Sequence, residues 1–362
     1  MSGKPFQIKV VIVSLALVIC FSGFLAILSG KTGMSALAES TEQAASTVLD
    51  YSDGAFYEGD VLYERIRDGI GKFTWATGET YSGTWQNDVL TGTGELIWPE
   101  FGVYNGAFVN GKREGEGSFV WTYPSDPETG SPVTYEGLWS GDKIGSSGKL
   151  VIAGIGTYEG EFARQMRDGI GTFTWLNGDV YNGQWKNDAI SGNGTLTLAD
   201  GTVFTGNFIN GLLKFGSVTY TVNGGKAERA IQNGIVKDDI SIKYEDGTVI
   251  AGKLKNQEFV GNVTINYSSG DTYVGTMKNG KKEGNGTYTW ASGAHYKGKW
   301  ENDKMSGKGT YYYSKDEKVL SLTGTFKDGV PSGSLIYVSD NKLTYTTMWS
   351  NGSCINIAFK KK

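Results

Sequence analysis

The chain has 362 residues, with 34 Lys and Arg against 38 Asp and Glu, a net charge of −4, one histidine and two cysteines. An acidic balance does not favour nucleic acid as a partner. The lone His295 leaves no Ser/His/Asp set and no Cys/His zinc cluster to assemble, and two cysteines cannot form a disulfide framework.

The first elements lie before any repeat. "MSGKPFQIK" carries Lys4 and Lys9, and the run Val10 to Ser29 that follows is twenty residues without a charge. That length spans a bilayer as a helix. Residues 1–37 are therefore expected to be a membrane anchor, or else a signal segment. The amino-terminal lysines predict the N-terminus inside and the rest of the chain outside. The alternative is a secreted chain, cleaved after Ala38 at Ala36-Leu37-Ala38. The apolar run exceeds a usual signal core, and Ala-x-Ala lies nine residues beyond its end, which favours the anchor. A lipid-modified cysteine needs small residues before it, and Cys20 follows Ile19. Residues 38–54, "AESTEQAASTVLDYSDG", read as a polar linker, with a short helix over Thr41 to Leu49 as its structured form.

From about residue 55 the chain repeats. A large ring opens a unit at Tyr57, Tyr81, Tyr104, Tyr135, Tyr158, Tyr181, Phe204, Tyr273 and Tyr296, mostly in steps of 23 residues. The same phase lands on Ala227, Ile250, Leu322 and Tyr345. The long step from Tyr104 to Tyr135 holds "TYPSDPETGSPVT", whose Pro124, Pro127 and Pro132 mark a surface loop. Residues 55–353 thus hold about twelve units, with a fragment at the end, and 354–362 read as a basic tail ending in "FKKK". The tryptophans confirm the phase: Trp85, Trp139, Trp185, Trp300 and Trp349 fall four residues after an opening ring, while Trp98, Trp121, Trp175 and Trp290 fall seventeen after.

Inside a unit, Tyr81, Gly83 and Trp85 alternate with Ser82 and Thr84, which is the period of a strand. Gln86 to Asp88 are turn-like, and a second alternation runs through Gly92, Gly94, Leu96 and Trp98. Units end in turn sequences such as Asn177 to Asp179. Each unit is predicted to be an antiparallel hairpin, with Gly83, Gly92 and Gly94 on the face of Tyr81 and Trp85 so that rings lie over bare backbone. One hairpin is unstable alone, so stacked hairpins must share their aromatic rows. The expected fold is all-β: one elongated, twisted antiparallel sheet of roughly 115 Å, behind one amino-terminal apolar helix.

Tyr181, Gly183, Trp185, Asp188, Gly192 and Gly194, and likewise Tyr296, Gly298, Trp300, Asp303, Gly307 and Gly309, closely resemble the MORN repeat. The resemblance departs at Phe204 to Val249, where Arg229 stands in a glycine position, so about 212–265 is a bend, a rough patch or a binding site. The resemblance implies scaffolding or membrane-associated contacts, with any catalytic domain outside the array. The expectation is a non-enzymatic, membrane-anchored scaffold or adhesion rod outside the cytoplasm, without cofactor, metal or catalytic residues. The alternative is a carbohydrate- or wall-polymer-binding module using exposed aromatics. "KNGKKEG" (Lys278 to Gly284) and the final lysines are small basic spots, more in keeping with a solvated face than with contact to acidic lipids.

Overall fold

The computed structural model describes residues 45–122, 132–313 and 320–359. Among these, the chain forms 29 strands, antiparallel to their neighbours, and no helix is long and apolar enough to cross a membrane. The apolar run Val10 to Ser29 lies outside the described residues. The described chain falls into two compact units, residues 45–199 with 206–212, and residues 200–205 with 213–359.

The first compact unit is a ladder of consecutive hairpins opened by Tyr57, Tyr81, Tyr104, Tyr135, Tyr158 and Tyr181. Two-residue turns such as Asn87–Asp88 and Asn187–Asp188 join the two strands of a hairpin. Their φ values of 49° and 67°, and 45° and 66°, match the turn that the twist of paired strands demands. Between hairpins, Gly178 takes φ +90 and closes the Asn177 to Asp179 turn, whose ends bond from Trp175 N–H to the Asp179 carbonyl at 2.9 Å. Every hairpin carries a bulge. From Trp185–Ile190 to Gly183–Gly194 the first strand advances two residues while the second advances four.

The register lines up like residues across the sheet. Glycine faces glycine from Gly59–Gly71 through Gly94–Gly106 to Gly183–Gly194, without a break. Beside that row runs the row of opening tyrosines, alternating with Phe73, Leu96, Phe119, Leu150, Phe173 and Leu196. All six tyrosines have no solvent exposure. Each meets the ring four residues on in its own hairpin or in the next one, edge to face: Tyr81 lies 5.3 Å from Trp85 and 5.1 Å from Phe108.

The second compact unit repeats this plan from Tyr273 onward, with Gly275–Gly286, Gly286–Gly298 and Gly309–Gly324 in register. Its amino-terminal part is built from aliphatic residues instead, with Ala227, Ile240, Ile242, Val263 and Ile265 buried in one cluster with Tyr273.

Two expected boundaries move. The described part of the expected linker is a strand, Ala45–Asp50, paired in register with Phe56 to Val61. A helix does not form there because the first hairpin offers an open strand edge, and Tyr51 comes to 5.6 Å from the Phe73 ring. The final fragment is a whole hairpin, Thr344–Ser350 with Ser353–Phe359. The basic tail therefore begins beyond Phe359. The alternation of Ile355, Ile357 and Phe359, overlooked beside the lysines, makes the strand.

Candidate functional site

Two features stand out from the repeated sheet: a series of buried cations on its aromatic face, and a trough on its other face.

The tyrosines explain the glycine rows. A Cβ on Gly183 would lie 2.5 Å from the Gly194 Cα and 2.5 Å from the Tyr181 hydroxyl, and one on Gly94 would lie 2.5 Å from the Tyr81 ring. The hydroxyl has its own task. Tyr181 donates to the Gln184 carbonyl at 3.0 Å, Tyr158 to Glu161 at 2.8 Å, and Tyr273 to Thr276 at 2.9 Å. Each accepting carbonyl sits at the bulge, where the ladder cannot use it. Burial pushes the Tyr81, Tyr104 and Tyr181 hydroxyls up to about 12. The chain supplies its own control. Each buried opening tyrosine, Tyr57 to Tyr181, Tyr273 and Tyr296, has a glycine two residues on, facing another across its hairpin. Where Ala227 replaces the ring, Arg229 and Ile240 occupy the corresponding places.

One glycine expectation fails. Gly92 does not sit under the Tyr81 ring. It has φ +61, and a Cβ there would meet the Thr84 side chain at 3.1 Å. Its positive φ at the bulge turns that direction away from the tyrosine and favours glycine on backbone grounds.

Arg67, Arg113 and Arg167 are 5%, 3% and 2% exposed, and repeat reasoning did not single them out. Each lies on the second strand of one hairpin and reaches the turn aspartate of the next. Arg167 Nε donates to Asp188 Oδ1 at 3.1 Å and its Nη2 to the Asp188 carbonyl at 3.0 Å. The guanidinium carbon stands 4.6 Å from the Trp185 ring centre, and Trp185 Nε1 donates to the Gly171 carbonyl at 3.1 Å. Arg67 with Asp88 and Trp85, and Arg113 with Asp142 and Trp139, repeat the arrangement. In the second compact unit Lys282 takes the place, 3.6 Å from Asp303 and 5.7 Å from the Trp300 ring centre. Lys282 is thus turned into the sheet, which removes one charge from the basic spot of Lys278 to Gly284.

These stations occur at every second boundary. At the boundaries between them the places of cation, Trp and Asp are taken by Leu90, Phe108 and Gly111, by Ile144, Phe162 and Gln165, and by Ile190, Phe208 and Gly211. The alternation of Trp and Phe at the fifth place was visible in the sequence, over a window of two units rather than one.

The trough, about 840 Å³, lies on the face away from the aromatic rows, within residues 216–275 of the second compact unit. Two rows of side chains rim it. Glu228 stands opposite Ser241, Ser241 opposite Ala251, Ala251 opposite Thr264 and Thr264 opposite Val274. Two residues along the strands lie Ser217, Ala230, Asp239 and Asn262. Between the rows the floor is backbone, because Ile240 and Val263 send their side chains into the core and Gly252 and Gly275 have none. Short side chains make the hollow. In the first compact unit the same face carries long polar pairs that bridge the strands, as Lys149 and Glu159 do at 3.7 Å. Ala230, Ser241 and Ala251 cannot bridge. Glu228 and Asp239 are the charged residues lining the trough. This is the segment of lost glycines that the sequence left open as a bend, a rough patch or a binding site.

The remaining candidates are structural. His295 opens the strand His295–Glu301, is buried, and stacks on Tyr312 with centroids 4.4 Å apart. Among the described residues no group of three or more His, Cys, Asp or Glu is placed to hold a metal ion, and Cys354 is a free, exposed thiol.

Against known families, the MORN repeat matches seven times, at residues 66–80, 81–103, 104–122, 158–180, 181–203, 273–295 and 296–317. The interval between the fifth and sixth matches holds most of the trough, whose last lining residues, Val274 and Gly275, fall within the sixth match. No curated protein matches the chain.

Proposed function

We propose that this chain, a MORN-repeat protein, is a non-catalytic scaffold held at a membrane, with its repeats displayed outside the cytoplasm. MORN repeats make a repeat scaffold or interaction module, and the family is generally without catalytic activity. One observation supports the scaffold reading above others: the recurring residues are consumed in holding the sheet. The opening tyrosines, the glycines beneath them and the cation stations face inward or bond to their neighbours. The turns and the opposite face are left to vary and to meet partners. A sugar-stacking module would need those rings at the surface, and eight opening tyrosines have no exposure.

The membrane part rests on the uncharged run Val10 to Ser29 behind Lys4 and Lys9. The test is fractionation of intact cells with external protease. The expected result is a membrane-bound chain that keeps its N-terminus and whose repeats are cut from outside. A mature chain beginning at Glu39 would make the protein secreted, and repeats protected from external protease would overturn both versions.

A further inference from the structure

The last hairpin of the second compact unit ends on a strand with an open edge. Ser353–Phe359 pairs with Thr344–Ser350, and its other edge meets no strand among the described residues. All seven of its residues are exposed, with Ile355 at 65%, Ile357 at 60% and Phe359 at 57%. Its bulge lies at Ile355, toward the turn, and Asn356 to Phe359 pair without one. Phe359 and Ile357 lie on the aromatic face. Phe359 stands opposite Tyr345, with ring centres 5.5 Å apart, and Ile357 stands opposite the buried Thr347. Phe119, Leu150 and Phe173 hold the place of Phe359 in their own hairpins. They are 0%, 5% and 3% exposed, because an opening tyrosine flanks each of them on both sides. Phe359 has such a ring on one side only.

The charges that protect a free edge are missing. No Lys, Glu or Pro interrupts the strand, and residues 343–359 carry no charge at all. The terminal unit of a repeat array normally turns a polar face outward, and this one does not. A strand laid on this edge must bring an uncharged apolar row, and Ser353–Phe359 of a second copy brings one. The hairpins around it pair antiparallel. A two-fold axis perpendicular to the sheet sets the same strand of a second copy antiparallel beside it, with both aromatic faces on one side. With the axis near Ile357, that residue meets its own copy and Ile355 meets Phe359, which are favourable cross-strand pairs. The three lysines that follow Phe359 in the sequence are then matched with Gly352, Ser353 and Cys354 of the copy, which are neutral. A parallel mate would match those lysines with one another. The two-fold pairing occupies the free edge of both copies, so association through it stops at two. We propose that the chain forms a two-fold dimer in which Ser353–Phe359 of two copies join antiparallel and continue the sheet from one copy into the other. The inference goes beyond the scaffold reading and does not depend on which side of a membrane the repeats occupy.

The test uses the full chain in detergent, with Cys20→Ser and Cys354→Ser removing the native thiols. Single cysteines are then placed in turn as Ile355→Cys, Asn356→Cys, Ile357→Cys, Ala358→Cys and Phe359→Cys. Val48→Cys, on the exposed side of the strand Ala45–Asp50, is the control. After mild oxidation the expected result is a disulfide-linked dimer concentrated at one or two of the five positions, those nearest the axis. The yield at Val48→Cys should be at least tenfold lower. Adding Ile357→Lys, or Phe359→Lys where position 357 carries the cysteine, is expected to lower the best yield at least tenfold. Both side chains are exposed, so these variants keep their fold, which circular dichroism checks. Absence of a cross-link at all five positions, or equal yields at all six, would overturn the proposal. A yield that the lysine leaves unchanged would do the same, because the copies would then be held together elsewhere, as through the apolar run Val10 to Ser29. So would a preferred cross-link between Ile357→Cys of one copy and Val48→Cys of another, because the copies would then join head to tail.

Discussion

Gly194 offers a direct measure of ring-over-glycine packing. The three atoms nearest to a Cβ at Gly194 would all belong to the Tyr181 side chain, its hydroxyl, Cε2 and Cζ. The ring cannot swing aside, because it is held between Trp185 at 5.6 Å and Phe208 at 5.3 Å. Overpacking of this kind costs about 1–3 kcal/mol, and displacing the hydroxyl from the Gln184 carbonyl adds about 1 kcal/mol. Gly194→Ala is therefore expected to destabilise its hairpin by about 2–4 kcal/mol. Tyr181→Ala alone should cost about 3–5 kcal/mol. In the Tyr181→Ala background the obstacle is gone, and Gly194→Ala should cost nothing or stabilise slightly. Gly183→Ala is the contrast, since its Cβ would also meet the Gly194 Cα at 2.5 Å and the Asn193 carbonyl at 2.7 Å. Its cost should persist without the ring. Hydrogen exchange of the amides in Val180–Lys186 and Ala189–Thr197 reads the local opening free energy. Additive effects of Gly194→Ala and Tyr181→Ala would refute the reasoning, because the two residues would then not be in contact.

Tyr181→Phe keeps the ring and removes one hydrogen bond, so hydrogen exchange should register a loss of about 1 kcal/mol confined to that hairpin and its neighbours. Arg167→Ala strands Asp188 and should cost about 3 kcal/mol, measured the same way, while Arg167→Lys should cost less than half as much, as Lys282 already serves in that place. The tyrosine pKa values are raised by burial, so their contribution is complete below the ordinary tyrosine value near pH 10. It is lost as pH rises toward about 12 for Tyr81, Tyr104 and Tyr181. Strand circular dichroism should therefore collapse together with the appearance of tyrosinate absorbance over that window, and tyrosinate forming near pH 10 with the sheet intact would contradict their burial.

Much of this arrangement is legible in the sequence because a hairpin repeat states its contacts many times. Tyr181, Gly183 and Trp185 alternate on one strand, and the period carries them to equivalent places in every hairpin. What escaped reading lies where that period hides information. The bulge inserts residues into one strand of each hairpin, so counting by twos from Gly94 back to Gly92 assigns the wrong reason to Gly92. Arg167 escaped because a polar residue on an alternating strand is normally assigned to solvent. Only the register shows that it is aimed at Asp188 in the next turn, under Trp185. The trough escaped because a hollow is made by residues that do little in sequence terms, such as Ala230 and Ala251. Ile355 and Ile357 were hidden by the lysines after them.

The alternation of cation and aliphatic residue along the first compact unit keeps the buried cations apart. Arg67, Arg113 and Arg167 lie on every fourth strand, about 19 Å apart at 4.8 Å per strand. A cation at every boundary would halve that spacing. Two charges about 10 Å apart repel by about 1.7 kcal/mol at an effective dielectric constant of 20, against about 0.9 kcal/mol at 19 Å. Leu90, Ile144 and Ile190 interrupt the series, and Ile190 is 2% exposed. Ile190→Arg alone would bury a cation facing Gly211, where no carboxylate waits, and should cost more than about 3 kcal/mol. Adding Phe208→Trp and Gly211→Asp rebuilds the station that Trp185 and Asp188 form with Arg167. The position of Gly211 has φ +73, close to the +66 that Asp188 already adopts in its own turn. The triple variant should recover to within about 2 kcal/mol of the parent, the remainder being repulsion from Arg167. Hydrogen exchange over Ala189–Thr197 measures both. If Ile190→Arg alone is tolerated, the aspartate and tryptophan are not what makes a buried cation acceptable in this sheet.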